Sequence, residues 1–263
     1  MRLIIFMLAA AVAASAQDDT RARKEAALGA QLAKEIQQRT TGIDNPAVQD
    51  YIEGIGRKLS AQLSDANLVY RFALISDDWG GETHEPLSLP GGYIFVSADF
   101  IRSATSEAEL AGMLAHAMAH VTLPRPQVEG ATIPIVFIGG LYGLGLRSNG
   151  SLVPRIQREN EGRADAIAVQ TMSAAGYEPE ALARYVERVQ TPPAKSAGNF
   201  AVLPGRDARV AALRQAIAEL PARTYPATDP DEFGRMQEQV RITVRSTISP
   251  AEDRPRPTLR RQN

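Results

Sequence analysis

Two histidines four residues apart are the side chains of this sequence best placed to do chemistry. The chain has three histidines, His84, His116 and His120. Positions i and i+4 of a helix share one face, so His116 and His120 can reach a single metal ion. The same spacing also occurs among surface and core histidines, so by itself it is a moderate signal. A zinc site of the catalytic kind needs a third protein ligand from another element.

Glu161 is the candidate for that third ligand. It lies in the middle of a predicted helix about forty residues after His120, and Asp165 follows it one turn later. Both acids then share a face, so Glu161 can bind metal while Asp165 accepts the second N–H of a ligand histidine. The small residues Gly162 and Ala164 are expected to let the two helices approach closely. Acids on a helix are also common on a solvated face, and that alternative stays open at this point.

The elements that must hold these residues follow from periodicity and capping signals. Ser106 with Glu109 forms a capping box that predicts the start of the histidine helix. The segments Val69–Ser76 and Tyr93–Ser97 are rich in β-branched and aromatic residues and predict two strands. A long helix is expected over Pro154–Ala175, ended by glycine. The fold class expected is α+β, mostly helical, with a small β-sheet.

Further helices and one irregular segment complete the expectation. The helices are predicted over roughly Thr20–Arg39, from Pro46 onwards, over Pro179–Gln190 and over Asp207–Leu220. The tail 249–263 is rich in proline and arginine and is expected to be disordered. The segment 17–248 is therefore interpreted as one folded domain.

The bulk properties exclude some classes of function and indicate export. The 263 residues are 44% hydrophobic and 22% charged, with a formal net charge of −1, so nothing favours nucleic acid as a partner. Residues 1–16 have the features of a secretory signal peptide: Arg2, an apolar run and a final Ala14-Ser15-Ala16. An uncleaved N-terminal anchor is the alternative. The absence of cysteine excludes disulfides and a lipobox. The localisation predicted is the bacterial periplasm or the extracellular space.

The surrounding residues resemble zinc metallopeptidase family forty-eight, the group of CAAX prenyl protease and HtpX-type gluzincins. The resemblance covers roughly Glu25 to Leu220. The motifs that carry it are Glu25–Gly29, Asn45–Val48, Leu89–Val96, Glu109–His116, Glu161 with Ala164–Asp165, and Ala175–Pro179.

The resemblance implies a zincin-like fold and a set of roles for these residues. By it, His116, His120 and Glu161 are the ligands of one zinc ion, and Asp165 orients a ligand from behind. The strand that begins at Tyr93 would be an edge on which a substrate peptide pairs, with Gly92, Tyr93, Ile94 and Phe95 as the substrate-binding residues.

The sequence departs from the family at three positions around this site. The family motif H-E-x-x-H here runs from His116 through Ala117 to His120, so the general-base glutamate is missing. A family Arg-His pair appears as Arg125-Pro126, and a later His-Pro appears as Leu203-Pro204. Three changes around one site favour natural drift away from catalysis over an engineered substitution at position 117.

These departures favour a pseudopeptidase, a secreted protein that keeps zinc and a peptide groove but has lost most or all hydrolytic activity. One alternative is an active zinc endopeptidase, either with Ala117 as an artefact or with a base from the loop around His84. Glu82 and Glu85 are the candidate bases of that loop, and His84 could donate to a substrate oxyanion. Another is a metal-free helical interaction domain. The partner expected is a peptide or unfolded protein in envelope protein quality control. The uncharged segment 132–146 is interpreted as buried, with a peripheral membrane contact as the alternative.

Overall fold

The computed structural model of this chain describes residues 22–63, 68–76, 85–123, 152–190 and 204–248. The described residues form eight α-helices and a three-stranded sheet. The helices are α1 (22–39), α2 (Pro46–Ser60), α3 (Ala98–Ser103), α4 (Glu107–Thr122), α5 (Leu152–Ala175), α6 (Glu180–Val189), α7 (Arg206–Ala218) and α8 (Pro230–Ile248). The strands are β1 (Arg71–Ile75), β2 (Leu87–Leu89) and β3 (Tyr93–Ser97). The mostly helical α+β fold predicted from the sequence is confirmed.

The sheet has the order β1-β3-β2, with β1 parallel and β2 antiparallel to β3. The expectation that β3 is an edge strand is therefore wrong: it is central, with β1 paired along Tyr93–Ser97 and β2 paired along Tyr93–Phe95. A peptide cannot add to β3 there because the hydrogen-bonding groups on both sides are used. Strand β2 pairs with β3 on one side and with no described strand on its free side, and its three residues are buried.

A tight turn of three residues, Pro90–Gly92, joins β2 to β3. Gly91 and Gly92 have φ of 73° and 87°, a conformation that favours glycine. A Cβ on Gly29 of α1 would lie 1.7 Å from the Pro90 carbonyl oxygen, so α1 packs on this turn through bare backbone. This contact gives a physical reason for the glycine that ends the Glu25–Gly29 motif.

Helix α4 runs through the centre of the molecule. Every residue of α4 from Glu107 to Ala119 is buried, which is the pattern of a helix surrounded by other elements. One face of the sheet packs on the main core through Leu74, Ile94 and Val96, while the other face packs on α1 through Ile75, Leu87, Leu89 and Phe95. Apolar packing alone therefore holds helix α4 on several sides.

Capping signals placed the helix ends well. Asn45 accepts a hydrogen bond from the Val48 amide and begins α2, and Ser106 accepts one from the Glu109 amide and begins α4. Gly176 follows α5 with φ of 88°. The expectation for Gly162 is wrong: it is exposed and nothing lies near its Cβ position, whereas Ala164 is fully buried. The close approach of α4 to α5 uses Gly112 of α4 instead, where a Cβ would lie 3.2 Å from the Met172 sulfur.

Candidate metal centre

Helix α4 places the two predicted histidines side by side in its last two turns. The Nε2 atoms of His116 and His120 are 3.0 Å apart, and the rings meet edge to face with centroids 4.6 Å apart. His116 is buried and His120 is partly exposed. The side chains of both histidines are largely enclosed, with 2% of His116 and 6% of His120 exposed.

Helix α5, which packs along α4, brings Glu161 to the same point. Its Oε2 lies 3.3 Å from Nε2 of His116, and its Oε1 lies 3.5 Å from Nε2 of His120. The three residues can offer ligand atoms that all lie within 4.8 Å of one another. Donors around a tetrahedral zinc ion at bond lengths of about 2.1 Å are separated by roughly 3.4 Å. The spacing seen here is what such an ion requires.

One oxygen of Glu161 has no partner within the described chain. Oε2 is buried and makes no hydrogen bond, because its contact with His116 lacks hydrogen-bond geometry. Burial alone would raise the pKa of Glu161, but the two imidazoles hold it well below its ordinary range. A buried carboxylate oxygen without a partner is costly unless a ligand satisfies it. The pocket thus fits a cation.

Asp165 lies where the sequence predicts it, behind the first histidine. Its Oδ1 is 2.8 Å from Nδ1 of His116, so that nitrogen carries the proton and Nε2 is left to bind metal. Burial lowers the pKa of His116, but Asp165 and Glu161 more than compensate and raise it to about 9 in the metal-free protein. A metal ion that binds here must therefore displace a proton.

Arg209 on α7 completes the site and was missed by the sequence analysis. It is fully buried and binds both oxygens of Asp165, at 2.8 and 2.9 Å. Its Nη1 donates to Glu85 at 2.9 Å and to Gln190 at 3.2 Å. The available signal was an arginine four residues before buried Leu213, on the inward face of its helix.

The charges of these residues match one divalent cation. Glu161, Asp165 and Glu85 carry three negative charges against the single positive charge of Arg209, with both imidazoles neutral as ligands require. Two negative charges remain in a largely buried cluster. Two imidazoles and one carboxylate are also the donor set of catalytic zinc sites that keep a fourth position open.

Ala117 follows the first ligand residue and is buried in the main core, with an exposed fraction of 1%. It can neither donate nor accept a proton. Glu85, a candidate substitute base, has one oxygen held by Arg209.

Some of the predicted features lie outside the described residues. They are Glu82 and His84, the segments 1–16, 132–146 and 249–263, and the departures at Arg125-Pro126 and Leu203. Within the described ranges, no helix is both long and apolar enough to cross a membrane.

Comparison with known families decides the classification of this chain. Residues 86–238, more than half of the sequence, match the model of peptidase family M48. The chain belongs to peptidase family M48. That range contains β2, β3, the histidine pair, Glu161 and Arg209, so the match covers the site itself. Zinc is the metal of this family, and the donor set described above fits it.

Several proteins from other bacteria are similar to this chain over part of their length. A putative beta-barrel assembly-enhancing protease of Vibrio cholerae is 28% identical over 167 residues, which are 56% of this chain and 34% of that protein. The beta-barrel assembly-enhancing proteases of Yersinia pestis and Escherichia coli are 24% and 23% identical over 186 residues, 63% of this chain and 37% of theirs. The chain therefore spans about a third of the length of these relatives.

Proposed function

We propose that this protein is an exported zinc-binding pseudopeptidase that holds a peptide or unfolded protein without efficient hydrolysis. His116, His120 and Glu161 would hold one zinc ion, and Asp165 with Arg209 would fix the first imidazole. The observation that carries the proposal is the unpartnered, buried Glu161 oxygen beside two imidazoles, while the residue after the first histidine is Ala117. A binding site is retained there without a general base.

The missing base sets the expected loss of activity. Zinc, when bound, polarises a peptide carbonyl and lowers the pKa of water. In a peptidase of this type a glutamate takes the proton from that water and passes it to the leaving amine. An alanine methyl group at position 117 does neither, and general acid–base catalysis is typically worth ~10²–10⁴-fold.

The free side of β2 is the surface we assign to the client. Its three residues pair with β3 on one side, and the strand packs close to α4. An extended peptide could add to the other side by main-chain hydrogen bonds. Gly92, Tyr93, Ile94 and Phe95 would then support this edge from the turn and from β3, instead of forming it themselves.

The cellular setting follows from the relatives and the N-terminal sequence. The similar proteins are named for enhancing beta-barrel assembly, which takes place in a bacterial envelope. The signal-like residues 1–16 agree with export to that compartment. We therefore infer a role in envelope protein quality control, with an unfolded envelope protein as the client.

A cleavage assay with the zinc-loaded protein tests this proposal. Unfolded, fluorescently labelled casein should bind measurably but should not be cleaved above the rate of the Glu161→Gln variant. An Ala117→Glu variant supplies the missing base and should gain hydrolysis if only the base was lost. Wild-type cleavage that disappears both on chelation and in Glu161→Gln would overturn the proposal.

Active catalysis with Glu85 as base is the second candidate. Glu85 is joined through Arg209 to the carboxylate behind His116, so it is near the site and partly exposed. This candidate predicts wild-type cleavage that Glu85→Gln abolishes. The third candidate, a metal-free interaction domain, leaves the Glu161 oxygen without a function and predicts no change in Tm on chelation.

A further inference from the structure

Arg209 joins two parts of the molecule that are separate in the fold. Through Asp165 it reaches His116, with Oδ1 of Asp165 accepting from both side chains. Through Nη1 it reaches Glu85, at 2.9 Å. Glu85 belongs to the segment that leads into β2, whereas Asp165 belongs to α5. One guanidinium is thus shared between the metal centre and the start of the free edge.

The connection from Glu85 to β2 is short and stiff. Only Pro86 stands between Glu85 and Leu87, the first residue of the strand. Proline fixes its own φ, and Pro86 is buried, so a movement of Glu85 is transmitted to the strand. Strand β2 has three residues and three pairings, all with β3. Glu85 is therefore attached almost directly to the start of a strand whose backbone pairing is limited to three positions.

The charges around Arg209 indicate how metal binding should affect the contact between Glu85 and Arg209. Without metal, Glu85 and Asp165 share a single guanidinium beside a third carboxylate, Glu161. The side chain of Glu85 is 16% exposed, against 6% for Asp165 and 8% for Glu161, so Glu85 can leave for water most easily. A divalent cation adds positive charge to this cluster, even after it displaces a proton from His116, and so weakens the repulsion acting on Glu85. Metal binding therefore favours the state in which Glu85 is docked.

We propose that Glu85 and Arg209 couple metal binding to the order of β2, so that the bound ion holds the free edge ready for a client. Glu85 acts here as a positioning residue, because it reaches the metal only through Arg209, Asp165 and His116. The proposal rests on the zinc-binding function proposed above and adds a regulation: metal supply would control client binding. Reciprocity requires that an ordered β2 also tightens zinc binding by the same factor.

Hydrogen exchange of the full chain, with saturating zinc or with chelator, tests the coupling. Zinc should slow amide exchange in the segment 85–92 of the wild type by at least about fivefold. Glu85→Gln removes the charge but keeps the shape, and should still bind one zinc ion while losing this protection. Glu85→Asp, which keeps the charge, should regain part of it. Glu53→Gln on α2, at a side chain that is 42% exposed, is the matched control and should behave as the wild type.

The outcomes distinguish failure of this coupling from failure of the zinc-binding function on which it rests. A wild type that binds no zinc overturns the metal site and the coupling together. One zinc per chain with unchanged exchange of 85–92 overturns the coupling alone, as does full protection in Glu85→Gln. Failure of Glu85→Gln to take up zinc at saturation also overturns it, because Glu85 would then be part of the metal site and not a link to β2.

Discussion

The two ends of α4 both bury carboxylates, and they do so in opposite ways. At its start, Glu107 accepts hydrogen bonds from Tyr51 at 2.5 Å and Tyr177 at 2.8 Å, with the ammonium of Lys58 at 3.8 Å. Toward its end, Glu161 of α5 faces two imidazoles and keeps one oxygen without a partner. One cluster is complete as the chain folds, and the other is complete only with a cation.

This difference separates a structural polar cluster from a binding site. A fully satisfied network joins α2, α4 and Tyr177, the second residue after α5, and it specifies how these elements pack. An unsatisfied buried group is rare in native proteins and indicates a ligand or a function. Substitutions at the first cluster should therefore change stability alone, and substitutions at the second should change metal binding first.

The largest effect is expected for Glu161→Gln. The amide removes the negative ligand, so zinc affinity should fall by more than about 100-fold, since even loss of residues behind the ligands costs about 10–100-fold. Competition with a chromophoric chelator measures the affinity. Glu187→Gln, at an exposed glutamate that contacts Arg214, is the matched control and should leave affinity unchanged. Equal zinc affinity in Glu161→Gln and the wild type would show that Glu161 is not a metal ligand, and the two ends of α4 would then not differ in this way.

Glu107→Ala should have the opposite signature. It leaves the buried Tyr177 hydroxyl and the half-buried Tyr51 hydroxyl without their acceptor, so the free energy of unfolding should fall by about 3 kcal/mol. Zinc affinity of the folded protein should stay within about twofold of wild type. Urea denaturation and the same chelator competition give the two values. A large loss of affinity here would show that the ends of α4 do not act separately.

The stability of the metal-free protein should also depend on pH through the histidine end of α4. Burial lowers the pKa of His116 in the folded state, but Asp165, with a smaller contribution from Glu161, raises it from 6.5 to about 9. A raised folded pKa gives stability that is complete below pH 6.5 and is lost as pH rises to 9, so the unfolding free energy should fall by on the order of 2 kcal/mol across this window. Urea denaturation in chelator at pH 6 and pH 9 measures it. The same fall in Asp165→Asn would contradict this origin.

The smallest effect is expected for Tyr177→Phe. It removes one hydrogen bond to Glu107 and keeps the ring, so the loss of stability should be about 1 kcal/mol. Zinc uptake should be unchanged. Thermal denaturation of the metal-free protein with and without the substitution checks this. A loss as large as that of Glu107→Ala would mean that the ring packing, and not the network, holds this end.

Local patterns predicted the parts of this molecule that depend on sequence neighbours. The histidine pair, the capping box at Ser106 and the strand Tyr93–Ser97 follow from spacing and propensity, and the structure has each of them. Residues Leu87–Leu89 were missed because three residues carry almost no periodic signal, and this omission led to the wrong edge strand. Helix α8 was missed as well, although Phe233, Met236, Val240 and Val244 repeat at helical spacing and are buried.

Arg209 shows why the rest of the site could not be predicted from the sequence. Its partners Asp165 and Glu85 are 44 and 124 residues away along the chain, and only tertiary structure brings them together. A buried arginine cannot be told from a surface one without knowing what faces it. The metal ligands were accessible to sequence reasoning because their chemistry fixes residue type and spacing. The residues that hold the ligands in place are under no such constraint.

The metal content of the protein, purified without added metal and compared with Glu161→Gln, tests the central claim most directly. Elemental analysis should find one zinc ion per chain in the wild type and less than about a tenth of that in the variant, as loss of a first ligand requires. A correctly folded wild type that remains metal-free at saturating zinc would contradict the claim, and the unpartnered Glu161 oxygen would then need another explanation.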